Sequence, residues 1–394
     1  MVRTVGWLAL TAGPVAAVAF ALAPSAWVEA HYSRALGPAI ARDLSRLSGW
    51  CPVSVAELGS FVLILLFARA ARSSWTGSAG TGRWFRRNGG VLLAFVSLQY
   101  AVFVAVWGLN YRREPIAGVF GLPVQPSSAD ELRLLATTFM AEMALARQQI
   151  TPSEGVASLA RPAGPNSQAT RRDWAFERAR LAYAKGGEGW PLLSGAFGPA
   201  KPILGSIVAS YVGIGGIYIP FTGEPHINTD APEWVLPFNL CHEIAHQHGV
   251  AREDEANYVG FRVARDYGEP YFVYSAYFGI DNHVIQALAK VDRDLAGSLL
   301  DARSPEVLAD YAAYTAWHRS RETPLREVGS AVNSAYLRSN GISDGVQSYG
   351  RVVDLLLAEQ RAGRVPTGFS NGQMVPEPTI GLSPQSSAND SSHP

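Results

Sequence analysis

Apolar residues gather first into three long runs and only later into stripes at helical spacing. Val5–Val28 is apolar almost throughout, interrupted by Pro14 and Pro24, and is long enough to span a bilayer. Val53–Ala68, with the run "FVLILLFA", is shorter and carries Glu57 near one end. Val91–Leu109 ("VLLAFVSLQYAVFVAVWGL") is the third, with Trp107 and Tyr111 placed as interface anchors. Between the second and third lie Arg69, Arg72, Arg83, Arg86 and Arg87 with no acid among them. An acid-free Arg loop reads as cytoplasmic. The chain is therefore expected to span three times (about 5–28, 53–70 and 90–109) with its amino terminus inside and everything after Asn110 outside. Two rival readings exist: Ala21-Leu22-Ala23 mimics a signal-peptide cleavage site, and the short second run could be re-entrant.

Beyond the membrane anchor, residues 1–110, the pattern is helical with a little strand. Ser128-Ala129-Asp130-Glu131 is a capping box opening a helix to about Gln149. "TPSEGVASLARPAGPNSQAT" reads as a linker, and Asp173–Lys185 as a helix stopped by Gly186-Gly187. "GIGGIYIPF" combines β-branched and aromatic residues with glycines and ends at Pro220, which predicts an edge strand. Further helices are expected at about Glu253–Asp266, His283–Leu300, Pro305–Tyr336 with breaks, and Gly345–Glu359. Residues 111–360 form the extracytoplasmic domain, and 361–394, rich in Gly, Pro, Ser and Asn, a disordered tail.

Composition narrows the function classes. Net charge is zero and charged residues are 17%, so no basic surface points to nucleic acid. Two cysteines, Cys51 and Cys241, make no disulfide framework, and Cys241 reads as a small buried residue of a helix.

The chemistry concentrates in "CHEIAHQHGVAREDEANY", residues 241–258. His242 and His246 are four apart, so on a helix they share a face and present two imidazole nitrogens to one ion. Glu243, rotated by about a hundred degrees, sits beside such an ion, placed to take a proton from its water. This is the HExxH arrangement of zinc hydrolases. Pro237 suits the helix's first turn, Leu240/Ile244 and Cys241/Ala245 can bury its back, and Gly249 is a natural stop. A second helix from Arg252 offers Glu253 and Glu255 as the third ligand, with Asn257 as support for a ligand histidine. His248 and Asp254 are expected on the surface.

The E-x-x-x-N spacing of Glu253 and Asn257 resembles the E-x-x-x-D of gluzincin metallopeptidases, in which the glutamate is the third ligand. That resemblance favours Glu253 over Glu255. Arg252 stands where metzincins have their third histidine, which argues against that clan. More broadly, the three apolar runs with "WGLNYRREP", "GGIYIPFTGEPHIN", "HEIAHQHGVAREDEAN", "YSAYFGI" and "YLRSNGISDGVQSYGRVVDLLL" resemble an uncharacterised bacterial membrane-protein family. That family, domain of unknown function family 3810, carries an HExxHxxGxxxExEAN zincin-like core, and the likeness covers most of residues 1–360. It implies a membrane-anchored zincin-like domain without an established substrate. Joined to the residue patterns, it gives a mainly α protein with three transmembrane helices before a zincin-like α+β metallopeptidase domain with a small sheet and edge strand.

The expectation is a multi-pass protein of the bacterial cytoplasmic membrane that hydrolyses a peptide or protein substrate. His242, His246 and Glu253 hold Zn²⁺, and Glu243 is the general base. Ile217, Tyr218 and Ile219 on the edge strand are candidates to pair with substrate, as edge strands do in zincins. Tyr277, Tyr274 and His283 are candidates to meet a developing oxyanion. Glu224, His226 and Asn228 either line the cleft or form a loop with turn chemistry. Two other functions fit the same residues: a non-peptidase zinc amidase or hydrolase of envelope material, and an inactive zincin-fold binding protein.

Overall fold

The computed structural model describes residues 2–76, 81–150, 167–186, 190–342 and 351–363. Most of the expected linker and all of the tail from residue 364 lie outside the described residues, as does the start of the expected 345–359 helix.

The amino-terminal part is three long helices. Helix α1 (Val2–Leu22) ends before Pro24, and the chain bends by 102° there. Proline supplies no N–H for a continuing helix and restricts the residue before it, which explains the break. A π-helical segment (Val28–Leu36) then leads into α2 (Gly37–Gly49). Helix α3 covers Val55–Thr76 and α4 covers Thr81–Val106. α1 and α4 pack together where Ser97 accepts a hydrogen bond from the Gly13 N–H (2.8 Å) and donates one to the Leu10 carbonyl (3.0 Å). Among the described residues, one segment, Gly89–Val106 in α4, is long and apolar enough to cross a bilayer, and the pair Leu8–Leu22 with Ser25–Gly49 passes only as one bent span. The expected count of three is therefore met only as one or two by length and composition. The first run is cut at Leu22, short of the expected Val28, and among the described side chains of α3 the large exposed apolar ones fall within Leu58–Phe67.

Among the described residues, the longer helices that follow are α5 (Ala129–Gln149), α6 (Ser167–Gly186), α7 (Ser206–Val212), α8 (Leu236–Gln247), α9 (Glu253–Tyr267), α10 (Pro270–Ala289), α11 (Arg293–Asp301), α12 (Pro305–Ser320), α13 (Pro324–Ser339) and α14 (Val352–Arg361). The capping box is present as expected: Ser128 Oγ accepts from the Glu131 N–H and Glu131 reaches back to the Ser128 N–H. The helix expected at His283–Leu300 is two. Asp292 accepts from the Leu295 N–H and starts α11 as a separate element.

The sheet is small. β1 (Lys201–Pro202) runs parallel to β3 (Glu224–Ile227), which pairs antiparallel with β2 (Gly216–Ile219), in the order β1-β3-β2. Gly216–Ile219 is thus an edge strand, as its composition predicts. The fold is mainly helical around one core, in which Leu240, Cys241 and Ala245 of α8, Val259 and Phe261 of α9, Ile280 of α10 and Met143 of α5 are all buried. Each such large side chain contributes about 1.5–3 kcal/mol when buried.

Candidate metal centre

Helix α8 forms where proline opens it and glycine closes it. Pro237 sits in its first turn, and Leu240, Cys241, Ile244 and Ala245 bury its back face. After His248, Gly249 takes φ +85°, a conformation that suits glycine, and its N–H returns to the His246 carbonyl (2.9 Å). The tight turn sends α9 back across α8. They approach closely at Gly260, where an added Cβ would lie 2.9 Å from the His242 nitrogen and 3.0 Å from its Cα. Gly260 stands seven residues, about two turns, after Glu253, so the same face of α9 carries both.

That crossing brings three side chains to one point. His242 Nε2 lies 3.2 Å from His246 Nε2 and 3.2 Å from Glu253 Oε2, and His246 Nε2 lies 3.5 Å from Glu253 Oε2. Nitrogen and oxygen ligands held tetrahedrally at about 2.0–2.1 Å from one zinc ion stand about 3.3–3.4 Å apart. The triad already has that spacing. His246 Nδ1 faces the Val250 carbonyl at 2.7 Å, which requires its proton there and leaves the Nε2 lone pair free for a ligand role. His242 Nδ1 is buried without a hydrogen-bond partner among the described residues. The ring supported in this way is thus His246, by a backbone carbonyl, where the sequence pointed to Asn257.

Glu255 does not join the triad. Its carboxylate accepts from the Ile116 N–H (2.8 Å) and from Arg252 (3.0 Å). Glu243 is buried against the first residue of β2: a Cβ added to Gly216 would lie 2.5 Å from Glu243 Oε1. Its other oxygen, Oε2, has no hydrogen-bond partner among the described residues. Burial pushes the Glu243 carboxyl above its ordinary range, and His242 and His246 only partly offset it. Burial also opposes charge on Glu253 and His246, but their mutual attraction wins. Glu253 is held well below the usual carboxylate range, and His246 is raised to about 9. Two carboxylates in one dry place need a positive partner, and a divalent cation can replace the protons that otherwise supply it.

The other expected site residues are placed differently. Ile217 is exposed on β2 and Ile219 half-buried, whereas Tyr218 turns inward against the Trp107 ring, 5.7 Å between centroids. Tyr277 is buried, packed against the rings of Phe139 and Phe261. Tyr274 donates to Asp310, away from the triad. Glu224 and His226 form neither cleft wall nor loop. They lie buried on β3, where Glu224 pairs with Lys201 and accepts from the backbone N–H of Val55 and Ala56, and His226 meets Ser54 Oγ at 2.7 Å. Asn228 donates to the Ile214 carbonyl at 2.8 Å and is fully buried.

His248 and Asp254 are corrections too. His248 is 2% exposed, stacked on Tyr183 and packed against Phe197, and burial pulls it down to about 4. It lines a cavity of about 1010 Å³ behind α8, together with Ile244 and Gln247, on the side away from the triad. Asp254 is buried beside Arg351.

Sequence reasoning missed the groups that hold the turn after α8. Trp107 was expected in the membrane interface but is 4% exposed, with its indole N–H donating to the His246 carbonyl (3.1 Å). Arg113, 1% exposed, donates to the Gly249 carbonyl (3.0 Å) and grips Glu29 of the π-helical segment with two hydrogen bonds (2.9 and 3.0 Å). Both belong to "WGLNYRREP", whose density of aromatic and basic residues just past an apolar run was the available signal. Tyr336 on α13 packs on Tyr111 and Phe103. Burial raises its phenol to about 12, and the charge of Glu253 adds to the shift.

With this geometry described, comparison with known proteins places the chain. It belongs to the family described as Protein of unknown function (DUF3810), whose model matches residues 32–357. No curated protein and no solved structure matches it.

Proposed function

We propose that the protein is a membrane-anchored zinc-dependent peptidase with a zincin-like extracytoplasmic domain. The observation that carries this reading is the convergence of His242 Nε2, His246 Nε2 and Glu253 Oε2 within 3.2–3.5 Å of one another, with Glu243 alongside. His242, His246 and Glu253 would hold the ion. Zinc so held supplies Lewis acidity, which acidifies water and polarises a carbonyl. Glu243 Oε2, which no described residue hydrogen-bonds, takes the proton of the attacking water and returns it to the leaving amine. An extended peptide laid along the edge of β2 passes directly beside this carboxylate, because Gly216 adjoins it.

The anchor is read as three spans. Leu58, Phe61, Val62, Leu63, Ile64, Leu65, Leu66 and Phe67 are all exposed, covering α3 on every side. A helix apolar all round is stable in lipid and not in water. The chain directions agree. The end of α1, the start of α3 and the end of α4 all meet the domain: Ala23 accepts from Arg112, Glu224 accepts from Val55 and Ala56, and Trp107 bonds to His246. The Arg-rich ends of α3 and α4, with Arg69 and Arg72 on one and Arg83, Arg86 and Arg87 on the other, then lie on the far, cytoplasmic side.

Metal analysis of the purified full chain, with a peptide-library assay of wild type and Glu243→Gln, tests the function. The expected result is about one zinc per chain in both proteins, with peptide cleavage by the wild type alone. Absence of zinc from the wild type sinks the reading. Cleavage confined to non-peptide amides points instead to an envelope amidase, and zinc without any turnover to a binding protein.

A further inference from the structure

Helices α7 and α13 carry a second apolar surface outside the spans. On α7 and just before it, Leu204 (57%), Ile207 (61%), Val208 (66%) and Tyr211 (37%) are exposed, while Ser206, Ala209 and Ser210 face inward. On α13, Leu325 (58%), Val328 (58%), Val332 (64%) and Tyr336 (39%) are exposed. Their spacing of three and four residues makes one stripe along that helix. The two helices are packed together: Gly329 of α13 lies against the Val212 carbonyl, and Thr323 Oγ1 donates to the Tyr211 carbonyl at 2.8 Å. Eight large apolar side chains thus form one continuous shelf.

Both ends of the shelf are tied to the membrane helices. At one end, Glu57 in the first turn of α3 accepts from the N–H groups of Leu204 (3.0 Å) and Gly205 (3.5 Å), one residue before the exposed belt that begins at Leu58. At the other, Tyr336 packs edge-on against Phe103 of α4 (6.2 Å), and its neighbour Leu337 is buried in a cluster that Phe20 of α1 and Phe103 and Val106 of α4 pack against. The shelf is therefore continuous with the lipid-facing surface of the spans. An exposed apolar surface of this extent is unfavourable in water.

We propose that α7 and α13 are embedded in the outer leaflet of the bilayer, as an interfacial shelf that holds the mouth of the His242/His246/Glu253 site at the lipid surface. The occupant of the shelf is lipid acyl chain. This rests on the reading of α1, α3 and α4 as spans and is independent of catalysis. An amphipathic helix lying in the interface buries its apolar face in the boundary between headgroups and acyl chains and keeps its polar face wet. α13 fits: Glu327, Ser330, Ser334 and Arg338 lie opposite its apolar stripe.

The test uses the full chain in phosphatidylcholine vesicles, with Cys51→Ser as background and Cys241, fully buried, left in place. A fluorescent label is attached at Val208→Cys or Val332→Cys, at Ile64→Cys as the span reference, and at Leu134→Cys as an exposed reference on α5. Brominated acyl chains are expected to quench the Val208 and Val332 labels several-fold more than the Leu134 label, approaching Ile64, and aqueous iodide to reach them poorly. If Ile64 is quenched by lipid while Val208 and Val332 behave like Leu134, the shelf is refuted and the spans stand. If Ile64 is also open to iodide, the spans fail and the shelf with them. Neither outcome depends on zinc or on peptide cleavage.

Discussion

Trp107 donates its indole N–H to the carbonyl oxygen of His246, 3.1 Å away, although 139 residues separate them. Trp107 is the residue after the last of α4, so this apolar helix ends against the backbone of the candidate metal centre. Replacing it should loosen that support. Trp107→Phe keeps an aromatic ring and loses one hydrogen bond, a cost of about 0.5–1.5 kcal/mol. Trp107→Ala also opens a cavity and should cost about 3–5 kcal/mol. Thermal unfolding in detergent should show the graded loss, and the alanine variant should yield zinc to a chelator faster than wild type. Equal melting temperatures for all three proteins would contradict this account.

Glu253 and Glu255 are separable by charge-neutral substitution. Glu253→Gln removes a ligand and should lower zinc affinity by more than the roughly 10–100-fold typical of an outer-shell change. Glu255→Gln should keep zinc and lose only stability, about 1–3 kcal/mol, since Arg252 and the Ile116 N–H lose a charged acceptor. Zinc titration with a competing chelator reads both. The opposite ranking would move the third ligand to Glu255.

Gly260→Ala tests the helix crossing. A methyl group there meets the His242 backbone at 2.9–3.0 Å, so α9 must shift or tilt. The expected cost is about 1–3 kcal/mol, with weaker zinc binding because Glu253 rides on the same helix. A variant as stable and as tight as wild type would show that the crossing tolerates the extra carbon.

His248 supplies a pH dependence. Its folded value is pulled from near 6.5 to about 4 because the ring is buried neutral between aromatic neighbours. The charged form is therefore disfavoured in the fold. The stability this contributes is fully present above pH 6.5 and is lost as pH falls toward 4, in total about 3 kcal/mol. Melting temperatures measured across that window in chelator should fall less steeply for His248→Phe than for wild type. Parallel curves would remove His248 from the explanation.

Topology has a direct readout. Reporter fusions after Arg72 and after Arg112 should report opposite sides of the membrane, because one position precedes the connection between α3 and α4 and the other follows α4. Reports from the same side would leave the three-span reading untenable and return the re-entrant alternative.

Much of the motif could be read locally. The i, i+4 spacing of His242 and His246, the offset of Glu243, Pro237 in the first turn and the stop at Gly249 all follow from helix geometry and backbone preference within a dozen residues. The edge strand, the capping box and the mainly helical class were equally local. Burial was not. His248 and Asp254 looked like helix surface because polar side chains usually are, yet α6, the loop around Phe197 and Arg351 cover them. Tyr277 looked available for the same lack of information about what packs on it.

By itself the sequence determined which imidazole and carboxylate groups stand at helical spacing and which face of one helix presents the two imidazoles. Tertiary structure alone decided that Glu253 and not Glu255 meets the two imidazoles, since that depends on the crossing at Gly260. It also decided that Trp107, Arg113 and Glu29 brace the turn between α8 and α9. The contacts of Trp107 and Arg113 with the turn join residues 139 and 136 positions apart, and no local periodicity carries the angle at which two helices cross.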